Sequence, residues 1–505
     1  MNNSTENSTA LPSHQPSPLP LWLAIFPIVV LFVALSFNVF IFGNDALDGS
    51  SQLVIVLVTG LTSALGMYRG VSWQTQQTAI VATIGSAMPS ILILLLVGSL
   101  ASIWLLSGTV PLLVYYGVKL LTPATFLVAA CIACAVTSIV GGSSWSTAAT
   151  VGLAMVGVGR ALGIPDGLIG GAIISGSYFG DKVSPLSDTT NLAAAVTETP
   201  LFEHIRYLFY TTGPSIIITV VAFTVIGFNI ETTTTSAEIS EVTDAIAQNF
   251  NLTPWLLLPP IIVLGLIISK VDAVPSLFIG VLSGAFCAVV FQQSLLSDMA
   301  NTLGDFGAYQ LLVTTLANGV DIQTQNSTLN NLLSTSGMAG MLGTIWLILA
   351  AMTFGGVMEA SGMLPRIMMS IKSVASNFFR LVACTAGTCI ITNVSASDQA
   401  ISVAVPGRMY AGLYKDMGYS SCNLSRTLED TGTVTSVLIP WNTCGAYHAT
   451  VLGIGTLTYL PYCFFNLLSP VMTLLLAWVK FRIARTKPIA DGEEKQLHVL
   501  LQRTT

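Results

Sequence analysis

GDKVSPLSDTTN, running from Gly180 to Asn191, gathers Asp181, Lys182 and Asp188 around Pro185 in a chain that is nearly uncharged. Upstream, residues 71–118 and 120–159 hold no charged side chain at all. Apolar segments flank the stretch on both sides. A charge at the centre of a membrane-spanning helix costs roughly 2.5–3.5 kcal/mol. Three charges turned toward lipid would cost on the order of 8–10 kcal/mol by simple addition, so the stretch must face a cavity inside protein. Pro185 removes a backbone donor and disrupts a helix. Broken backbone at membrane depth is tolerated where it is buried in protein or lines water. The freed carbonyls, the two carboxylates and the oxygens of Ser184, Ser187, Thr189, Thr190 and Asn191 form a hard-oxygen environment that suits a small alkali cation.

The rest of the chain sets the class. Of 505 residues, 53% are hydrophobic and only 8% charged, against about 25% charged in soluble proteins. Mean hydropathy is +0.76. Apolar runs long enough to cross a bilayer recur throughout, and they are too long and too uniform for barrel strands. The expected fold is an all-α polytopic membrane protein. The net charge of −6 is a sum over loops and says little about partners.

Lys and Arg placement gives an orientation. Lys480, Arg482, Arg485 and Lys487 put the C-terminus in the cytoplasm, and Arg69 after two spans puts the N-terminus there too. The long connections 231–253 and 298–337 hold acids but no Lys or Arg and read as external. Residues 1–20, rich in Asn, Ser, Thr and Pro without Lys or Arg, read as a disordered tail and not as a signal peptide.

A weak internal repeat is visible. At an offset of 252, Ser143 meets Ser395, Gly180 meets Gly432 and Tyr207 meets Tyr459; Ser107-Gly108 and Pro111 match Ser361-Gly362 and Pro365 at 254. The charge rule places the two Ser-Gly motifs on opposite sides, which makes the repeats inverted, a hallmark of secondary transporters. The expected organisation is a first repeat over 21–230, an external linker over 231–253, a second repeat over 254–480 and a cytoplasmic tail over 481–505. Each repeat is three crossings, a re-entrant hairpin (124–160 and 381–412), a broken span (167–197 and 421–457) and a final crossing, about ten full crossings in all.

The second half repeats the chemistry. Glu429, Asp430, Thr433 and Ser436 precede Pro440 and Asn442, and the second hairpin tip carries Ser395, Ser397 and Asp398. Each motif has a plainer reading: Lys182 neutralising Asp181 or Asp188, Asp188 as a helix cap, hairpin serines as packing residues. Their joint occurrence in both halves favours the functional one. Cys131 and Cys134 form a C-x-x-C at helical spacing with no nearby His, a pattern of packing rather than metal binding.

The segment from Gly180 to Asn191, with Gly142-Ser-Ser-Trp-Ser-Thr147 upstream, resembles the signature of the NhaC family of Na+/H+ antiporters, over about residues 54–480. The resemblance implies a dimeric carrier of the bacterial inner membrane with elevator motion. It further implies cation sites at Ser143, Ser144, Ser146 and Thr147 with Asp181, Ser184, Asp188, Thr189 and Asn191, the Na+ ion itself at Asp181, Asp188, Ser143 and Asn191, and in the second half Ser395, Ser397 and Asp398 with Glu429, Asp430, Thr433 and Asn442. Na+ and H+ are then transported ions, with no cofactor and no nucleic-acid partner. Family members that exchange malate for lactate or move amino acids leave an organic substrate open. Other classes find no motif: the chain has no Gly-Lys pair for a P-loop, no G-x-S-x-G and no H-E-x-x-H among its four histidines.

Overall fold

The structure is a computed structural model that describes residues 19–42, 49–230, 236–300, 307–323, 330 and 333–485. Apart from residues 19 and 20, the tail expected over 1–20 lies outside the described residues, as does the C-terminal tail from 486 onward. Among the described residues the chain is helical, with two isolated β-bridges.

Three apolar helices open the chain, Leu21–Phe42, Ser50–Tyr68 and Trp73–Leu106. The third ends at Ser107-Gly108, where Gly108 takes a left-handed φ of 82°. That conformation is cheap only for glycine, and it turns the chain into the short helix Thr109–Leu120. The second half repeats the device: Leu342–Ala360 ends at Ser361-Gly362, with Gly362 at φ 71°, and Met363–Lys372 follows.

Both hairpins form. Pro123–Gly141 descends to a tip at Gly142-Ser143 and returns through Ser144–Thr147, a π-helical turn Ala148–Gly152 and Leu153–Ala161. The second hairpin pairs Phe378–Ser395 with Gln399–Asp416 around a tip at Ser397-Asp398. Both expected breaks are present too. Asp166–Val183 stops before Pro185 and resumes as Asp188–Val196, and the helix from Ser421 to Leu438 stops before Pro440 and resumes as Thr443–Leu452.

These elements fix the repeat register. Pro123 and Phe378 begin equivalent arms, Ser143 and Asp398 cap equivalent second arms, Ser187 and Asn442 cap equivalent half-helices, and Leu201 and Thr456 begin equivalent last helices. Every pair is 255 residues apart, so the offset of 252 read from residue identities is three residues short. Identities of single small residues can match at a neighbouring register, whereas caps and breaks cannot slip without moving a helix end. Ser143 is thus equivalent to Asp398, not to Ser395.

Eight helices among the described residues are long and apolar enough to cross a membrane, and ten when two bent pairs are counted, Ser240–Asn249 with Pro254–Ile268 and Thr456–Tyr462 with Phe464–Trp478. The eight include the first arms of both hairpins and omit both broken helices. Part of the connection 231–253 is the helix Ser236–Asn249, and Gln293–Ala300 and Gly307–Asn318 fall in or beside the later polar connection.

The first broken helix packs tightly along the first hairpin arm because glycines line the contact. A Cβ on Gly176 would stand 2.1 Å from the Cys131 carbonyl oxygen, and one on Gly180 would stand 2.4 Å from that of Ala135. Cys131 and Cys134 are buried in this seam, where small residues let backbones approach. Trp73–Leu106 packs against Ser50–Tyr68, Ala273–Phe291 and Leu342–Ala360 beside the hairpins.

Candidate functional site

At each break the sequence supplies its own caps. The Ser187 hydroxyl accepts from the Thr190 amide at 3.4 Å, and Asn442 Oδ1 accepts from the Cys444 amide at 3.0 Å. Asp188 is therefore the first residue of its half-helix and not its cap. Its carboxylate is exposed and takes no hydrogen bond or ion pair among the described residues. A free acid at a helix N-terminus stands in that helix's favourable field.

The first hairpin tip is tied to the first break through Asp181. The Asp181 carboxylate accepts from the Ser144 amide at 3.0 Å and from the Ser144 hydroxyl at 2.6 Å. Ser184 donates to the Ile139 carbonyl at 2.7 Å, fastening the break to the hairpin arm. Ser143 caps the returning arm, accepting from the Ser146 amide at 3.3 Å, and Thr147 donates back to the Ser143 carbonyl at 2.9 Å. The second tip is built alike. Asp398 caps its arm through the Ile401 amide at 2.9 Å, the Ser397 carbonyl accepts from the Thr443 amide at 2.9 Å, and Asn442 donates to the Asn393 carbonyl at 3.0 Å.

The two tips share one cavity. A space of about 450 Å³ is lined by Ser143, Ser146, Asp181, Asp188 and Thr189 from the first repeat and by Asp398 and Thr443 from the second. Ser86 and Ser90, on either side of Pro89 in the third helix, close one wall, and Lys270 and Asp272 stand at a turn between two spans on another. Trp145 stacks on Tyr447 at 4.0 Å between ring centroids, and Tyr447 donates to the Trp145 carbonyl at 3.0 Å. The first tip is thereby fixed to the second half of the other repeat's broken helix.

Not every residue named from the sequence lines this space. Ser144 and Thr147 stand behind it as hydrogen-bond donors. Asn191 is exposed and gives its amide to the carbonyls of Pro185 and Ser187, so it satisfies the broken backbone instead of facing the cavity. Ser395 is buried and donates to the Ile391 carbonyl. Ser397 is held at φ 58°, with its hydroxyl buried and unpartnered.

Glu429, Asp430 and Thr433 are fully buried in a π-helical turn away from the cavity lining. Lys182 is ion-paired there, to Asp430, and the plainer alternative, a pairing with Asp181 or Asp188, does not form. The reason is helical geometry: neighbours i and i+1 point apart around a helix, so Asp181 faces the hairpin tip while Lys182 faces the other repeat. Sequence reasoning missed Thr443, Ser86 and Ser90 as lining residues. Pro89 within an apolar helix, flanked by serines, was the available signal.

An internal repeat, two broken helices, two re-entrant tips and an acid-lined cavity between them define an ion-coupled secondary transporter. The sequence model of the Na+/H+ antiporter family matches residues 176–481. The chain is 35% identical to the Na+/H+ antiporter NhaC of Alkalihalophilus pseudofirmus over 87% of its own length and 92% of that protein. It is 33% identical to the malate-2H+/Na+-lactate antiporter of Bacillus subtilis over 94% of this chain and 98% of that one. The arginine/ornithine antiporter ArcD of Halobacterium salinarum is also 33% identical, over 93% and 94%. The chain belongs to the Na+/H+ antiporter family.

Proposed function

We propose that this chain exchanges Na+ for H+ across the bacterial inner membrane, by alternating access at the cavity between the hairpin tips. The observation that carries the reading is the juxtaposition of Asp181, Asp188 and Asp398 around one space that holds hydroxyl oxygens and, apart from Lys270, no basic side chain. Carboxylates with neutral oxygens suit a small hard cation, and the same carboxylates bind a proton when the cation leaves. Of the residues named from the sequence, Ser143, Ser146, Asp181, Asp188, Thr189 and Asp398 are the proposed ion ligands. Ser144, Thr147, Ser184, Asn191, Ser395, Ser397 and Asn442 support them.

The repeats supply complementary halves. Where the first has Ser143 at its hairpin cap and Asp188 at its break, the second has Asp398 and Thr443. At these two equivalent positions each repeat supplies one acid and one hydroxyl. The packed layer of Trp73–Leu106 and its neighbours is the static part past which the hairpins and broken helices move. We further propose a homodimer with both termini in the cytoplasm, so that the turn at Lys270 and the cavity mouth beside it face the cell interior.

A second reading, exchange of an organic anion or amino acid coupled to Na+ or H+, is favoured by the likeness to the malate/lactate and arginine/ornithine antiporters. A carboxylate substrate needs a free cation or free helix N-termini in the site. Lys182 is committed to Asp430, which leaves Lys270 as the cavity's basic group. The test is transport in proteoliposomes with an internal pH dye. Na+ alone should drive proton movement in the opposite direction. Proton movement that requires malate, lactate or an amino acid would replace the first reading with the second.

A further inference from the structure

We infer that Lys182 is a built-in cation: its tethered ammonium fills, between Asp430 and Glu429, a place that would otherwise hold an additional transported ion. The inference rests on the reading of the chain as a Na+ carrier.

Lys182 lies one residue beyond Asp181, on the face of the broken helix turned away from the cavity. Its side chain is fully buried and ion-paired to Asp430 Oδ1, across the boundary between the repeats. The same oxygen accepts from the Thr211 hydroxyl at 3.0 Å. Around this pair stand oxygens that carry no cation. Asp430 Oδ2 is buried without a hydrogen bond, and the buried Glu429 carboxylate forms no ion pair among the described residues, its polar neighbour being the Thr433 hydroxyl. Glu429 lies within electrostatic reach of Lys182, Asp181 and Asp430, and the Phe465 ring centroid is 5.5 Å from the ammonium. His204, whose Nδ1 pairs with Ser425 and whose Nε2 is unpartnered, also feels the Lys182 charge.

One buried acid thus pairs with the lysine and a second lies within electrostatic reach, amid oxygens of the kind that ligate an alkali cation. Buried charges must be paired or coordinated. An ammonium is a compact charge with three donors, and it can satisfy such a shell only in part. These oxygens are the remainder of a cation site whose ion is supplied by the chain itself. Because that charge is covalently held, it travels with the broken helix in both directions and is never released, so the carrier moves one fewer free cation per cycle than its oxygen ligands would allow.

The test is the number of 22Na+ ions bound per purified full-length chain at saturation, by equilibrium dialysis at alkaline pH. Wild type sets the count. Lys182→Met should bind one Na+ more per chain and show a steeper Na+ dependence, while Lys182→Arg keeps the wild-type count. Adding Asp430→Asn to Lys182→Met should return the count to that of wild type. An unchanged count in Lys182→Met overturns the inference. Should that variant fail to accumulate, Lys182→Gln is read in the same way against the same two outcomes. Wild type that binds no Na+ would instead sink the Na+-carrier reading, and this one with it.

Discussion

Asp188 and Asp181, seven positions apart, are held differently. Asp188 stands at the start of its half-helix with no hydrogen bond or ion pair among the described residues, which on the proposed reading lets it exchange a cation for a proton with no internal bond to break. Asp188→Asn keeps the shape and the cap at Ser187 and removes the charge; it should abolish Na+-driven proton movement while the protein remains folded, as read by size-exclusion chromatography and proteoliposome transport together. Wild-type exchange in that variant would remove Asp188 from the site. Asp181 is held by the Ser144 amide and hydroxyl, so its position depends on the hairpin tip. Ser144→Ala removes one buried hydrogen bond, worth about 1 kcal/mol, and should raise the apparent KM for Na+ several-fold with little change in maximal rate.

At the scale of elements, the hairpins and breaks were legible because their chemistry is local: a proline between acids, Gly-Gly-Ser-Ser between apolar arms, Asn-x-Ser-x-Ser-Asp in the equivalent place. The register between the halves was not. Caps at Ser143 and Asp398 define it, and Ser and Asp are interchangeable as caps without being identical in sequence. The Lys182–Asp430 pair was hidden for a related reason. It joins residues 248 apart, on helix faces that only the packed fold brings together. Neither the short helices after Gly108 and Gly362 nor those in the long polar connections carried an apolar run long enough to stand out. The seam between the first hairpin arm and the broken helix gives a direct test. Gly176→Leu would drive a side chain into the Cys131 carbonyl, and such overpacking costs typically 1–3 kcal/mol. The expected result is a lower thermal unfolding temperature in detergent and loss of transport, with Gly213→Leu, at a position with open space beside it, as a control that leaves both unchanged.

For the whole molecule, the stacking of Trp145 on Tyr447 matters most, because it welds the first tip to the second repeat. On the proposed alternating-access reading, this contact would make the two halves of the cavity move as one unit, so that an ion bound between them is carried rather than passed along. Trp145→Ala should uncouple the tips, lowering the maximal rate of exchange more than it changes the KM for Na+, and stopped-flow measurement of proton flux would separate the two. The central claim is that Na+ and H+ compete for the same carboxylates. Protonation of Asp181, Asp188 or Asp398 removes the charge that a cation needs, so each step toward acid on one side of the membrane withdraws sites from Na+ on that side. The measurement is the apparent KM for Na+ in proteoliposomes from about pH 9 down to about pH 6. KM should rise steadily as pH falls, while the rate at saturating Na+ is unchanged by pH on that side; a KM for Na+ that stays constant across this range would exclude competition for the same carboxylates.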